Sequence, residues 1–209
     1  MRDLLQALAD WVAAGGREIG EIRLQPVAAG GFVLCHRDDS GNAGLASSFG
    51  PEAARELAHF DDACHFRPLK TAPNLRHGWR LTLANLAELR RALDYFYPAM
   101  PGVWLSHARG ELTPVPFRDT LNRQTGMYRV AQKITAEQAD ELIGSFCRTN
   151  GGCLKRILWP LALGVPISTL PAEKFQTASS PRTLPLYCHE ACNLLVAKAR
   201  EVVKATKTE

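Results

Sequence analysis

The sequence predicts an α+β protein: a small N-terminal antiparallel sheet with helices, followed by a mainly helical C-terminal region. Three observations predict it. Up to about residue 115, short apolar runs bounded by Gly and Asn alternate with stretches whose apolar residues recur at the helical period. Beyond that point the signals are mainly helical. Between the two lies "ELTPVPF" (Glu111 to Phe117), whose two prolines mark a boundary. The expected domains are therefore 1–115, a supporting α+β domain, and 116–209, a helical domain that carries four cysteines.

Taken in order, Leu4, Leu5, Leu8, Trp11 and Val12 form the apolar stripe of a first helix, stopped by Gly15-Gly16. "EIRLQPV" and "GFVLCHR", joined by "AAGG", read as a hairpin with Cys35 in its second strand. The glycine-rich "GGFVLCHRDDSGNAG" follows no phosphate-binding rule and reads as a strand followed by a turn. In "GPEAARELAHF", Pro51 and Glu52 mark a helix start. "CHFRPL" and "HGWRLTL" are the next expected strands. Asn85-x-x-Glu88 then opens a helix through Leu86, Leu89, Leu93 and Phe96 that stops before Pro98. From about Gly102 to Pro116 the chain is expected to be irregular. Thr135-x-x-Gln138 is a capping box, and Ala139, Leu142, Ile143 and Phe146 continue an apolar face to Cys147. Leu163 to Tyr187, with four prolines, reads as a long loop. A last helix is expected from about Pro185, with Cys188, Cys192, Leu195, Ala199 and Val202 on one face.

Composition excludes several classes. With 209 residues, 46% of them hydrophobic and 22% charged, the chain can bury a sizeable core. No stretch approaches the roughly 18 to 20 uncharged apolar residues needed to span a bilayer. Asp3 and Asp10 interrupt the opening apolar positions, so no secretory signal is expected and the chain reads as cytoplasmic. A net charge of +4 does not by itself imply nucleic acid, and no membrane partner is expected either. The charge is uneven: from Arg118 onward there are 13 Lys/Arg against 8 Asp/Glu, whereas residues 1–117 hold 12 against 13. No G-x-S-x-G, H-E-x-x-H or G-x-x-x-x-G-K-[ST] occurs, so hydrolase, zinc-protease and P-loop readings lack their usual support.

The basic half holds the chemistry. Cys147, Cys153, Cys188 and Cys192 follow the pattern C-x5-C-x34-C-x3-C. Disulfides would need an oxidising compartment that nothing in the sequence indicates. Structural zinc is an alternative, although its cysteine pairs are usually about two to four residues apart. Inert burial suits Cys35 and Cys64 better than two tight pairs. A cubane [4Fe–4S] cluster wants four converging thiolates with donors aimed at the sulfurs and little water. Gly151-Gly152 allows close wrapping of the backbone, and a helix start near Cys188 would favour an anion. Arg148, Lys155, Arg156, Lys198 and Arg200 could offset its charge, Trp159 and Tyr187 could shield it, and His189 could hydrogen-bond a sulfur.

The C-x5-C and C-x3-C spacing resembles the cluster motif of siroheme-dependent sulfite and nitrite reductases. "TAPNLRHGWRL", "RQTGMYRVAQKI", "CRTNGGCLKRILWP" and "CHEACNLLVAKAR" resemble the C-terminal region of certain bacterial CbiX-type sirohydrochlorin cobaltochelatases, a stabilising domain followed by a [4Fe–4S] domain. The resemblance implies Cys147, Cys153, Cys188 and Cys192 as cluster ligands. It also implies a place in siroheme or cobalamin metabolism, in electron transfer or redox sensing. The chelatase domain with its metal-handling histidines has no counterpart in this sequence. The expected partners are thus a separate sirohydrochlorin chelatase or a tetrapyrrole ligand, and the chain alone is not expected to be catalytic. Arg76, Arg80, Arg123 and Arg129, with Tyr128, are candidates for contacts to the carboxylates of such a ligand. The alternatives are a zinc-stabilised interaction domain without a redox role and an enzyme that acts on a tetrapyrrole such as sirohydrochlorin with the cluster as electron source.

Overall fold

The computed structural model describes residues 2–28, 30–59, 75–149, 156–157, 159, 182–188 and 191–206. The fold is α+β, and the chain divides into two compact units: Met1–Glu111 with Gln176–Leu186, and Leu112–Phe175 with Tyr187–Glu209. The expected strand at "CHFRPL" and most of the expected loop after Leu163 lie outside the described residues.

The first unit opens with α1 (Arg2–Ala13). Its Leu8 and Trp11 are buried, and a Cβ at Gly16 would run into the Trp11 indole, so the glycine stop doubles as a packing requirement. The strands are β1 (Glu18–Ile19), β2 (Ile22–Pro26), β3 (Phe32–His36), β4 (Ala46–Phe49), β5 (Trp79–Leu83) and, far downstream, β7 (Thr183–Leu184). They form one sheet in the order β4-β5-β3-β2-β1-β7. The β1–β2, β2–β3 and β3–β5 pairs are antiparallel, while β4–β5 and β1–β7 are parallel. The expected hairpin is β2–β3, with Arg23 opposite Cys35 and Leu24 opposite Leu34.

Alternation decides which face is buried. Ile22 and Leu24, Phe32 and Leu34, and Leu81 and Leu83 are all buried along their strands. Helices α2 (Ala53–His59), α3 (Leu86–Phe96) and α4 (Met100–Ala108) complete the unit. Asn85 caps α3 by accepting from the Glu88 amide, while the Glu88 carboxylate accepts from the Ala84 amide. Leu89, Leu93 and Phe96 are buried, and Phe96 stacks on Trp79 with ring centroids 5.2 Å apart.

Two expectations are corrected in this unit. Residues 100–108 are helical rather than irregular, because Ala99 takes a left-handed conformation (φ 60°) that turns the chain after α3 and lets Pro101 stand in the first turn of α4. Strand β4 was not expected. Three of its four residues are exposed, so it shows no apolar alternation.

In the second unit, α5 (Phe117–Thr120) leads through 3-10 turns at Leu121–Arg123 and Gly126–Lys133 into α6 (Ala136–Leu142). The capping box at Thr135 is present: its hydroxyl accepts from the Gln138 amide, and the Gln138 side chain accepts from the Thr135 amide. After α6 the helix widens into a π turn over Ile143–Thr149. Strand β6 (Arg156–Ile157) pairs in parallel with β8 (Tyr187–Cys188), and α7 (Asn193–Ala205) follows. Phe117, Leu121, Ile134, Leu142, Ile143, Trp159, Leu195, Val196 and Val203 form the core of this unit.

The last helix does not begin near Pro185. That stretch is extended, with β8 spoken for by β6, and helical geometry starts only after Cys192. Cys188 therefore sits on a strand and does not share a helix face with Cys192.

Candidate functional site

Three of the four expected ligand cysteines are described, and each comes from a different kind of element. Cys147 lies in the π turn, Cys188 ends β8, and Cys192 is the N-cap of α7. Cys153 lies outside the described residues. All three pack, partly buried, against the one hydrophobic core of the second unit, as do Phe146 and Ala191. None is in a disulfide.

Local structure explains how each is held. A π turn inserts an extra residue into the helical ladder, which re-aims the side chains that follow; such turns recur at functional sites. Here it carries the chain from buried Leu142 and Ile143 to Cys147. The β6–β8 register places Arg156 opposite Tyr187 and Ile157 opposite Cys188. Cys192 has extended backbone (φ −77°, ψ 158°), and its sulfur accepts from the Leu195 amide at 3.4 Å. An N-cap is a place for side-chain acceptors, because the first N–H groups of a helix have no partner within it. Its helix end favours negative charge.

The surroundings suit a large, anionic, water-sensitive group. Trp159 (1% exposed) is buried in this core and tilts against Phe117 at 5.9 Å, and Tyr187 is also buried. Among the described residues, the Trp159 indole N–H is buried without a hydrogen-bond partner, as is that of Trp11 in the first unit. An orphaned buried donor of this kind is unusual unless something else occupies its surroundings. Sulfur donors, partial burial and an unanswered N–H fit a thiolate-held cluster. Lys198, expected to offset its charge, is exposed and ion-paired with Glu201 at 2.8 Å, whereas Arg200 is half-buried. Gly151, Gly152, Lys155 and His189, and the side chains of Arg148 and Arg156, lie outside the described residues.

Cys35 behaves differently. It is buried in β3 of the first unit, and burial pushes its thiol up, with the charge of Asp39 adding and those of Arg23 and Arg80 opposing. Cys64 lies outside the described residues.

The five expected anion contacts are distributed over both units. In the first, Arg76 stands in the turn before β5, where its carbonyl accepts from the Trp79 indole at 2.6 Å, and Arg80 lies on β5, its guanidinium donating to the Asn42 carbonyl at 3.3 Å. In the second, Arg123, Tyr128 and Arg129 are exposed on the consecutive 3-10 turns.

Sequence reasoning did not bring out the capping sulfur or the π turn. The small residues of "IGSFCRT" point to neither. It also missed the approach of His36, Asp39 and His77 in the first unit.

Comparison with known proteins accords with this division. Residues 4–108 match the DR2241 stabilising domain, and residues 109–201 match a 4Fe-4S iron-sulfur cluster binding domain. Among curated proteins none matches the chain. Among solved structures, a crystal structure of DR2241 from Deinococcus radiodurans is similar, with 34% identity and a TM-score of 0.71 over 96% of this chain. It is described as a multi-domain protein with structural similarity to chelatases and two additional novel domains. This chain spans 42% of its length. The first half of the match covers half of the sequence, so the chain belongs to the DR2241 stabilising-domain family and carries, after that domain, a 4Fe-4S cluster binding domain.

Proposed function

We propose that Cys147, Cys153, Cys188 and Cys192 ligate one [4Fe–4S] cluster, and that the protein serves as an auxiliary electron-transfer or redox-sensing partner in cytoplasmic tetrapyrrole metabolism. The observation that supports the ligand set is that Cys147, Cys188 and Cys192, from a π turn, a strand end and an N-cap, all pack against one core. When bound, the cluster would supply one-electron chemistry. The chain's residues would hold it: the Leu195 amide is directed at one sulfur, Trp159 and Tyr187 would limit water, and the N-terminal start of α7 would favour its negative charge.

The tetrapyrrole assignment rests on the resemblance of the chain to CbiX-type cobaltochelatase C-terminal regions and on the chelatase-like relative. A separate sirohydrochlorin chelatase, or the tetrapyrrole itself, is the partner this reading implies, with Arg76, Arg80, Arg123, Tyr128 and Arg129 as candidate carboxylate contacts. Within the described residues no helix is long and apolar enough to cross a membrane.

Anaerobic reconstitution with iron and sulfide analysis tests the cluster. About four irons per chain should bind with broad visible absorption, and Cys188→Ser should reduce that sharply. A colourless protein that holds zinc alone on these cysteines would overturn the reading in favour of a zinc-stabilised interaction domain. For the tetrapyrrole, sirohydrochlorin should bind, and Arg76→Glu with Arg129→Glu should weaken it; unchanged or unmeasurable binding removes that part.

A further inference from the structure

The first unit holds a group of metal-ligating side chains of its own, apart in sequence from Cys147, Cys188 and Cys192 of the second. Pairing of β3 with β5, with Cys35 opposite Arg80, brings the end of β3 to the turn that precedes β5. His36 ends β3, Asp39 closes the 3-10 turn that follows, and His77 lies in the turn before β5. One nitrogen from each imidazole and one Asp39 oxygen all lie within 4.8 Å of one another. The two rings are tilted against each other by 51°, with centroids 3.8 Å apart.

The group is graded from inside to outside: the side chains of His36, Asp39 and His77 are 3%, 13% and 43% exposed. It is also braced. Asp39 Oδ2 accepts from the Gly78 amide at 2.7 Å, which leaves Oδ1 3.5 Å from His77 Nδ1. Glu21, itself buried, anchors Oε2 on the Leu75 amide at 2.6 Å and turns Oε1 toward His36 Nε2, 3.8 Å away. At that separation the Glu21 carboxylate faces the imidazole as a charge rather than as a hydrogen-bond partner. The other nitrogen, Nδ1, accepts from the Asp38 amide at 3.3 Å as the cap of the 3-10 turn and stands 3.7 Å from the Asp38 carboxylate, so an ion bound there would displace that amide.

Distances and charge both favour an ion over direct pairing. The imidazole–carboxylate separations of 3.5 to 3.8 Å exceed the ~2.7–3.2 Å of an N–H···O bond. One of them joins two of the three clustered side chains: His77 Nδ1 to Asp39 Oδ1, at 3.5 Å, is close to the spacing, a little over ~3 Å, that ligands adopt around a tetrahedral ion with bonds of about 2.0–2.2 Å. Among the described residues, neither Glu21 nor Asp39 is ion-paired with Lys or Arg, so two carboxylates face two imidazoles without a fixed cation.

We propose that His36, Asp39 and His77 bind one divalent first-row transition ion of the zinc class, with the Glu21 carboxylate facing His36. Imidazole with carboxylate suits zinc and its neighbours rather than calcium or magnesium, which take oxygen ligands.

The test is zinc titration of the full chain after anaerobic cluster reconstitution, followed by calorimetry and elemental analysis. One zinc per chain should bind in addition to the iron. His77→Ala, at an exposed position, and Asp39→Asn, which keeps an acceptor for Gly78, should each weaken that zinc about tenfold or more and leave the iron unchanged. Cys188→Ser should lower the iron and leave this zinc in place, so failure at one site is distinguishable from failure at the other. Circular dichroism checks that each variant is folded, and either variant suffices. The proposal is overturned if no zinc binds beyond the cluster, or if a folded variant binds it as tightly as the parent.

Discussion

At the scale of single residues, the same thiol chemistry serves two ends. Cys192 has its sulfur at a helix start with an amide directed at it, whereas Cys35 faces a buried strand environment that keeps it protonated. Its raised pKa means that the reactive thiolate forms only at higher pH. In the cluster-free protein, Cys35 should therefore be alkylated much more slowly than Cys192 at neutral pH, as mass spectrometry of labelled peptides can read. Cys35→Ala should cost about 1 kcal/mol in urea unfolding and leave iron content unchanged. Equal labelling of the two thiols, or loss of iron in the Cys35 variant, would contradict this assignment. The cysteines themselves were legible in the sequence, since their pairing in two short stretches needs no structure. The role of Cys192 as a cap was not, because Cys is rarely read as a capping residue and its partner amide, at Leu195, carries no signature of its own.

At the scale of elements, helix starts with a side-chain acceptor were the easiest to read. Asn85 and Thr135 both cap where their spacing to Glu88 and Gln138 indicated. Elements set by long-range pairing were hidden: β4 leans on β5, β6 on β8, and none has an apolar alternation of its own. The tight β1–β2 connection shows what such pairing demands. Gly20 has φ +56°, and a Cβ there would stand 2.6 Å from Tyr97 Oη, the same hydroxyl to which the Glu21 amide donates at 2.9 Å. Gly20→Ala should combine left-handed strain with displacement of that ring, and destabilise the protein by about 2 kcal/mol or more in denaturant unfolding. A variant as stable as the parent would mean that the turn relaxes without cost. Because Glu21 also faces His36, a displaced turn should weaken the zinc proposed at His77 as well.

At the scale of the whole molecule, each unit has its own core, and ligands stabilise only the states that bind them. Cluster removal should accordingly raise amide hydrogen exchange in α6 and α7 while β2, β3 and β5 keep their protection, as mass spectrometry can resolve. Equal loosening of both sets would show that the cluster supports the entire chain. In the sequence, the expectation of two domains rested on the prolines of "ELTPVPF" and the change in periodicity beyond them. The meeting of His36 with His77 was not, since they lie far apart in sequence and are joined only by the register of β3 on β5. The return of the chain to its first unit was equally hidden, because a two-residue strand leaves almost no pattern to read.

That return has a consequence for anyone dividing the protein. Arg182 accepts from the amides of Arg17 and Glu18, and Thr183–Leu184 completes the sheet beside β1. A fragment ending near residue 111 would therefore lose its last strand together with buried Leu184 and Leu186. Its sheet would end in an unprotected border, with Ile19 newly uncovered and unpaired amides offered to any passing chain, which is the usual template for aggregation. The segment from Arg182 to Leu186 acts as a selvedge for the first unit, woven from thread that belongs, by sequence, to the second.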